Sequence, residues 1–177
     1  MTSGWTSTSV PYITPGSKDV WAEEAAARGG KGSQRIAYAG ETVAPADIAH
    51  LLGLGDDGAA IVRRRVIYLD ERPIELTDSY YPPAIAAGTA LATPAKIRGG
   101  AVTLLAELGH AGAHVQEEVT ARPPTPEERD LFALTETEPV LTLTRLIRDD
   151  ADRPVQADVM VTPARSTRLR YELKVTQ

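Results

Sequence analysis

At 177 residues, with 24 acidic against 19 basic side chains and a formal net charge of −5, the chain fits one domain and lacks the broad positive footprint of a self-sufficient nucleic-acid binder. It contains no cysteine, which excludes disulfides and thiolate metal sites and suits a reducing compartment. No apolar run reaches membrane-spanning length and no basic-then-apolar leader opens the chain, so a cytoplasmic protein without membrane contact is the default expectation.

Residues 1–17, rich in Ser, Thr, Gly and Pro, are expected to form an extended arm that Trp5 and Tyr12 could anchor, with the domain proper over residues 18–177. Asp19 to Arg28 reads as a helix, because four alanines and two glutamates favour it and Gly29-Gly30 stops it. A short strand follows near Gln34 to Ala39, then a helix begun at Pro45 and ended by Gly53. The β-branched run Ala59 to Leu69 and the run Pro73 to Tyr81, joined across Asp70-Glu71-Arg72, predict an antiparallel hairpin closed by Pro82-Pro83.

A loop through Pro94 and Gly99-Gly100 leads to a helix over Ala101 to Leu108, and Ala113 to Ala121 reads as a strand. Thr125-Pro126-Glu127-Glu128 has the spacing of a capping box with Pro in the first turn, which starts a helix running to about Leu134. Three strands complete the chain, near Val140 to Arg148, Val155 to Val161 and Arg168 to Val175. Adjacent hairpins define the class as α+β, an antiparallel sheet with flanking helices, in place of repeated βαβ units.

Alternation puts Arg63 and Arg65 on one side of their strand and Arg64 on the other. A guanidinium amid apolar neighbours cannot shed its charge, so each needs a carboxylate, phosphate or carbonyl: an ion pair with Glu75, Asp78 or Asp158, or else a ligand. Lys96-Ile97-Arg98-Gly99-Gly100 precedes a helix, so Arg98 and free N–H groups at Gly99 and Gly100 could hold an anion, although the same glycines also serve as a plain turn. Gln156 and Asp158 share one strand face, which implies water or a ligand against them. His110 and His114 are four apart but are separated by Gly112, so a turn into a strand is favoured over a zinc pair. No motif calls for a metal, a cofactor or a catalytic nucleophile.

The stretch Arg63-Arg64-Arg65-Val66-Ile67-Tyr68-Leu69-Asp70-Glu71-Arg72-Pro73, followed by Asp78-Ser79-Tyr80-Tyr81-Pro82, resembles the UTRA ligand-sensing domain of HutC-type GntR transcription regulators. Lys96 to Gly100, Arg122 to Glu128, Glu138-Pro139-Val140-Leu141 and Asp152-Arg153-Pro154-Val155 follow in the family's order, so the resemblance covers roughly residues 34 to 175. It implies a chorismate-lyase-like fold, an antiparallel sheet with a ligand cavity between sheet and helices, and no catalysis. Small metabolites such as sugar phosphates or amino-acid-derived acids are the implied ligands.

By position, Arg65 matches the family's pocket arginine, while Ile67, Gly100, Val102 and Gln156 depart from the residues common in sugar-phosphate sensors. The ligand-binding set expected on these grounds is Arg63, Arg65, Ser79, Arg98, Gly99, Gly100, Gln156 and Asp158. The resemblance further implies a small-molecule effector, a homodimer or a heterodimer with a full-length regulator, and DNA contact made by a winged helix-turn-helix that would precede this sequence. The alternatives are an enzyme on the same fold using Arg65 with Asp78 or Asp158, and a dimerisation module with a filled pocket.

Overall fold

The computed structural model describes residues 5–7, 9–16 and 19–170. Its elements are β1 (Trp5–Ser7), α1 (Val10–Ile13), α2 (Val20–Ala27), β2 (Gly32–Val43), α3 (Ala46–Leu52), β3 (Ala59–Leu69), β4 (Arg72–Tyr81), α4 (Pro83–Ala86), α5 (Gly100–Glu107), β5 (His114–Arg122), α6 (Pro126–Phe132), β6 (Val140–Arg148), β7 (Pro154–Pro163) and β8 (Thr167–Leu169). Short 3-10 turns occupy Ala90–Ala92 and Ala164–Ser166. Six strands form one sheet in the order β2-β3-β4-β7-β6-β5, every neighbouring pair antiparallel, and β1 pairs with β8 in a separate parallel ribbon. The expected α+β antiparallel architecture is the observed one.

Helix starts and stops follow their local chemistry. Asp19 caps α2 by accepting from the Ala22 amide, and Gly53 ends α3 in the left-handed conformation that glycine adopts at no steric cost. The capping box at α6 is complete: the Thr125 hydroxyl accepts from the Glu128 amide, and the Glu128 carboxylate accepts from the Thr125 amide. Glu128 also receives both arms of Arg122 at 2.7 and 2.6 Å, and that pairing holds its carboxyl below the usual range.

A carboxyl whose folded-state pKa is depressed stabilises above the unfolded-state pKa and ceases to do so as pH falls through the folded value. Glu128→Gln is therefore expected to cost about 1–3 kcal/mol at neutral pH, with the gap to wild type closing below about pH 4 in urea melts.

Opposite faces of the sheet are covered by different helices. On one face α3 packs Ile48 and Leu52 against Ala60, Val62, Tyr80, Leu146 and Ala157, while α6 seats Phe132 on Val140 and Val161. On the other, α4, the turn at Ala90–Ala92 and α5 bury Ala86, Leu91 and Leu105 against Ile61 and Tyr81. β2 and β5 are the edges, and β5 is mostly exposed, with Val115 and Val119 each 40% accessible.

Differences from the sequence reading are local. β2 is twice the expected length and carries a bulge between Ile36 and Tyr38. The arm is not wholly extended, because Val10–Ile13 is helical; Tyr12 donates to Glu24 at 2.5 Å, whereas the Trp5 side chain lies outside the described residues. Of the last expected strand, Thr167–Leu169 is extended, and residues 171–175 lie outside the described residues. Pro83 nucleates α4 inside what reads as a loop.

Candidate functional site

Cross-strand register, which no single strand can reveal, assembles the site. Arg63 of β3, Ser79 of β4, Asp158 of β7, Arg145 of β6 and Glu117 of β5 are successive partners across five strands. Direct partners point to one face, so these side chains form a single polar row on the face that carries α4 and α5. Arg63, Ser79, Asp158 and Arg145 are all buried, and β7 lies inside the sheet, so this is not a solvated surface.

Within the row the charges pair. Arg145 Nε donates to Glu117 Oε1 at 2.7 Å, and its Nη1 lies 3.8 Å from Asp158 Oδ2. Gln156 Nε2 donates to Asp158 Oδ1 at 2.7 Å. Glu75, beside Arg65, Arg145 and Asp158, accepts from Thr77 Oγ1 at 2.5 Å. Burial raises its carboxyl above the usual range, against the pull of the Thr77 hydroxyl and the two arginines. Burial likewise pushes the Tyr81 hydroxyl up to about 12, with the Asp158 carboxylate adding to the effect.

The eight sequence-derived residues separate into three groups. Arg65, Ser79, Gln156 and Asp158 converge: Arg65 Nη2 donates to Ser79 Oγ at 3.2 Å, and Ser79 and Asp158 are register partners. Arg63 shares the row, but its guanidinium donates to four main-chain carbonyls, those of Ala90, Leu91 and Thr93 from Nη1 and that of Ala95 from Nη2, at 2.5–3.2 Å. Arg98, Gly99 and Gly100 stand exposed at the start of α5, and no hydrogen bond or ion pair among the described residues joins them to the row.

Arg145, Glu117 and Tyr81 escape the sequence reading, while Glu75 enters it only as one candidate ion-pair partner for the arginines of β3. Arg145 had a signal, since it sits between Leu143 and Ile147 on a strand face just as Arg63 and Arg65 sit among their apolar neighbours. The opposite face holds a cavity of about 320 Å³ between α3 and α6, lined by Ile48, Arg64, Asp78, Tyr80, Arg122 and Glu128 among others. Its two arginines are each committed to a carboxylate: Arg64 clamps Asp78 through Nε at 2.8 Å and Nη2 at 2.7 Å, and Arg122 clamps Glu128, with Asp47 and Glu127 adding further acid to the lining. Among the described residues no cluster of three or more His, Asp or Glu is placed to hold a metal ion, and no helix is long and apolar enough to cross a membrane.

The described residues thus form a helix-flanked antiparallel sheet with a polar row buried on one face. The chain belongs to the UTRA domain family, whose model matches residues 27–168. It is 30% identical over 135 residues to an uncharacterized HTH-type transcriptional regulator of Streptomyces coelicolor, a match covering 75% of this chain and 50% of that protein. A GntR-family transcriptional regulator of known structure superposes with a TM-score of 0.75 at 25% identity, covering 83% of this chain and 60% of the other.

The fold is also that of the ligand-binding domain of a GntR-family regulator from Bordetella bronchiseptica, with a TM-score of 0.70, 22% identity and 81% and 92% coverage. These relatives are transcription regulators and not enzymes. The chain spans half the length of the curated relative it matches.

Proposed function

We propose that this chain is the effector domain of a GntR-type transcription regulator, and that its effector binds on the face carrying Arg65, Ser79, Gln156 and Asp158. The observation that carries this reading is the contrast between the two faces. Among the described residues Arg64 clamps a carboxylate with two hydrogen bonds, whereas Arg65, with the Glu75 carboxyl nearby, hydrogen-bonds a serine hydroxyl and keeps a buried Nε without a hydrogen-bond partner. Burial of an unsatisfied cationic donor is costly, and a bound anion relieves it.

Arg63 and the Arg98-Gly99-Gly100 turn take part less directly. Arg63 holds the segment that covers the face, and the turn sets the start of α5 at its rim. Residues 1–17 act as the connecting arm and 18–177 as the sensing domain, in the cytoplasm. DNA contact belongs to a helix-turn-helix region of the kind its relatives carry, the acidic sensing domain making none of its own. Two such domains associate, as a homodimer or with a full-length regulator, and the exposed valines of β5 supply apolar surface for that pairing. Effector binding then shifts the dimer between two arrangements that differ in affinity for DNA.

A thermal-shift screen of anionic and neutral metabolites tests the reading, since a ligand specific to the folded state raises the melting temperature. For any confirmed ligand, Arg65→Ala is expected to weaken Kd by about 10- to 100-fold, as hydrogen bonds to a charged group are worth roughly 1.5–3 kcal/mol. Unchanged affinity in titration calorimetry would remove Arg65 from the site.

A further inference from the structure

Resting on the effector reading above, we infer that the bound molecule is a monocarboxylate that also carries an N–H or O–H donor, its carboxylate on the Nε/Nη2 edge of Arg65 and its donor on Oε1 of Gln156. Among the described residues, two buried side-chain atoms of this sheet face have no hydrogen-bond partner: Arg65 Nε, a donor, and Gln156 Oε1, an acceptor. Native folds leave few such atoms, and each asks for an explanation. A ligand that satisfies both must offer an acceptor at one end and a donor at the other.

The orientation of the glutamine amide follows from its neighbour. Asp158 accepts and does not donate when ionised, so Gln156 must turn Nε2 toward it, as the 2.7 Å contact requires, and this leaves Oε1 facing away. The Arg65 end is read by comparison with the residue before it. Arg64 uses its Nε and Nη2 together to clamp both oxygens of Asp78, whereas the same edge of Arg65 holds only Ser79 Oγ, at 3.2 Å. A planar carboxylate completes that edge bidentately. Arg65 is part-exposed as a residue while its Nε is buried, so a carboxylate meets that edge as the side chain turns outward.

A single negative charge is what the surroundings accept. Arg63 is held by four carbonyls and Arg145 by Glu117 and Asp158, which leaves one guanidinium edge for a ligand. Asp158 and Glu117 line the same face and would repel a second charge. Arg65 is level with Met160 through Thr77, four residues along β7 from Gln156, and the two side chains reach toward each other at Ser79 and Asp158, so the molecule lies along that line.

The test uses the full wild-type chain and matched probes in thermal shift and calorimetry. N-acetyl amino acids carry the carboxylate and the N–H, their N-methyl counterparts lack the donor, their methyl esters lack the anion, and alkyl and sugar phosphates carry a second charge. Binding confined to the first class, with at least a tenfold loss on N-methylation, is the expected result. Gln156→Met should abolish that tenfold difference while leaving the N-methyl compound's affinity unchanged.

Tighter binding of phosphates, or equal binding of the N-methyl compounds, would overturn the ligand class and leave the effector site standing. If no class binds, and a crystal structure shows ordered water on both orphan atoms, the effector reading itself fails and this inference with it.

Discussion

Arg63→Met is expected to lower the unfolding free energy by about 3–5 kcal/mol, because one guanidinium serves four main-chain carbonyls and, although that of Ala90 also accepts from Thr93, those of Leu91, Thr93 and Ala95 would lose a charged donor. The carbonyls belong to the segment between α4 and α5, whose only fully buried apolar side chain beyond Ala86 is Leu91. Burial pulls the Arg63 guanidinium below its usual value, yet arginine remains charged in proteins, so each bond is made by an ionic donor. Arg63→Lys should rescue little: an ammonium has three donors on a flexible stem and cannot span four acceptors from a rigid fork. Hydrogen exchange should report the same loss locally, with amides of residues 88–98 exchanging faster than those of β6 and β7. A loss under 1 kcal/mol with unchanged exchange would show that Leu91 packing alone holds the segment.

That role for Arg63 marks the limit of what a linear sequence displays. The strand's alternation assigns Arg63 and Arg65 to one face and Arg64 to the other, and the structure agrees. The need of each arginine for a partner is equally legible, and Asp78, one of three candidate carboxylates with Glu75 and Asp158, is the one that Arg64 takes. Which partner Arg63 takes is not, because backbone carbonyls have no side-chain signature and the segment supplying them lies about 30 residues downstream.

The capping box at Thr125 and the turn after Leu69 are local and legible, although the turn read as Asp70-Glu71-Arg72 is only Asp70-Glu71, both at positive φ, 48° and 65°, as a two-residue hairpin connection requires, with Arg72 already in β4. The placing of β7 between β4 and β6 is non-local, set by burial on both sheet faces, and it is this placing that brings Asp158 beside Ser79 and Arg145.

The same register makes Arg145 the second position of large effect. Its side chain is 7% exposed as a residue and lies between Glu117 and Asp158, the latter 3% exposed. Two carboxylates held near one cation are each other's burden once that cation is removed. Arg145→Met is therefore expected to cost about 3–5 kcal/mol, measured by urea unfolding, most of it the penalty of an uncompensated buried charge and not the net worth of the pair.

The double variant Arg145→Met/Asp158→Asn separates these contributions, since it removes the buried charge along with its partner. It should recover about 1–3 kcal/mol relative to the sum of the single variants, the coupling expected of residues in one network. Because Gln156 hydrogen-bonds Asp158, the Asp158→Asn change also frees the amide to turn, so ligand preference should shift even where stability returns. If Arg145→Met costs no more than an exposed substitution, about 0.5 kcal/mol, then the row across the sheet does not rest on Arg145, and hydrogen bonds such as that from Gln156 to Asp158 hold it without the cation.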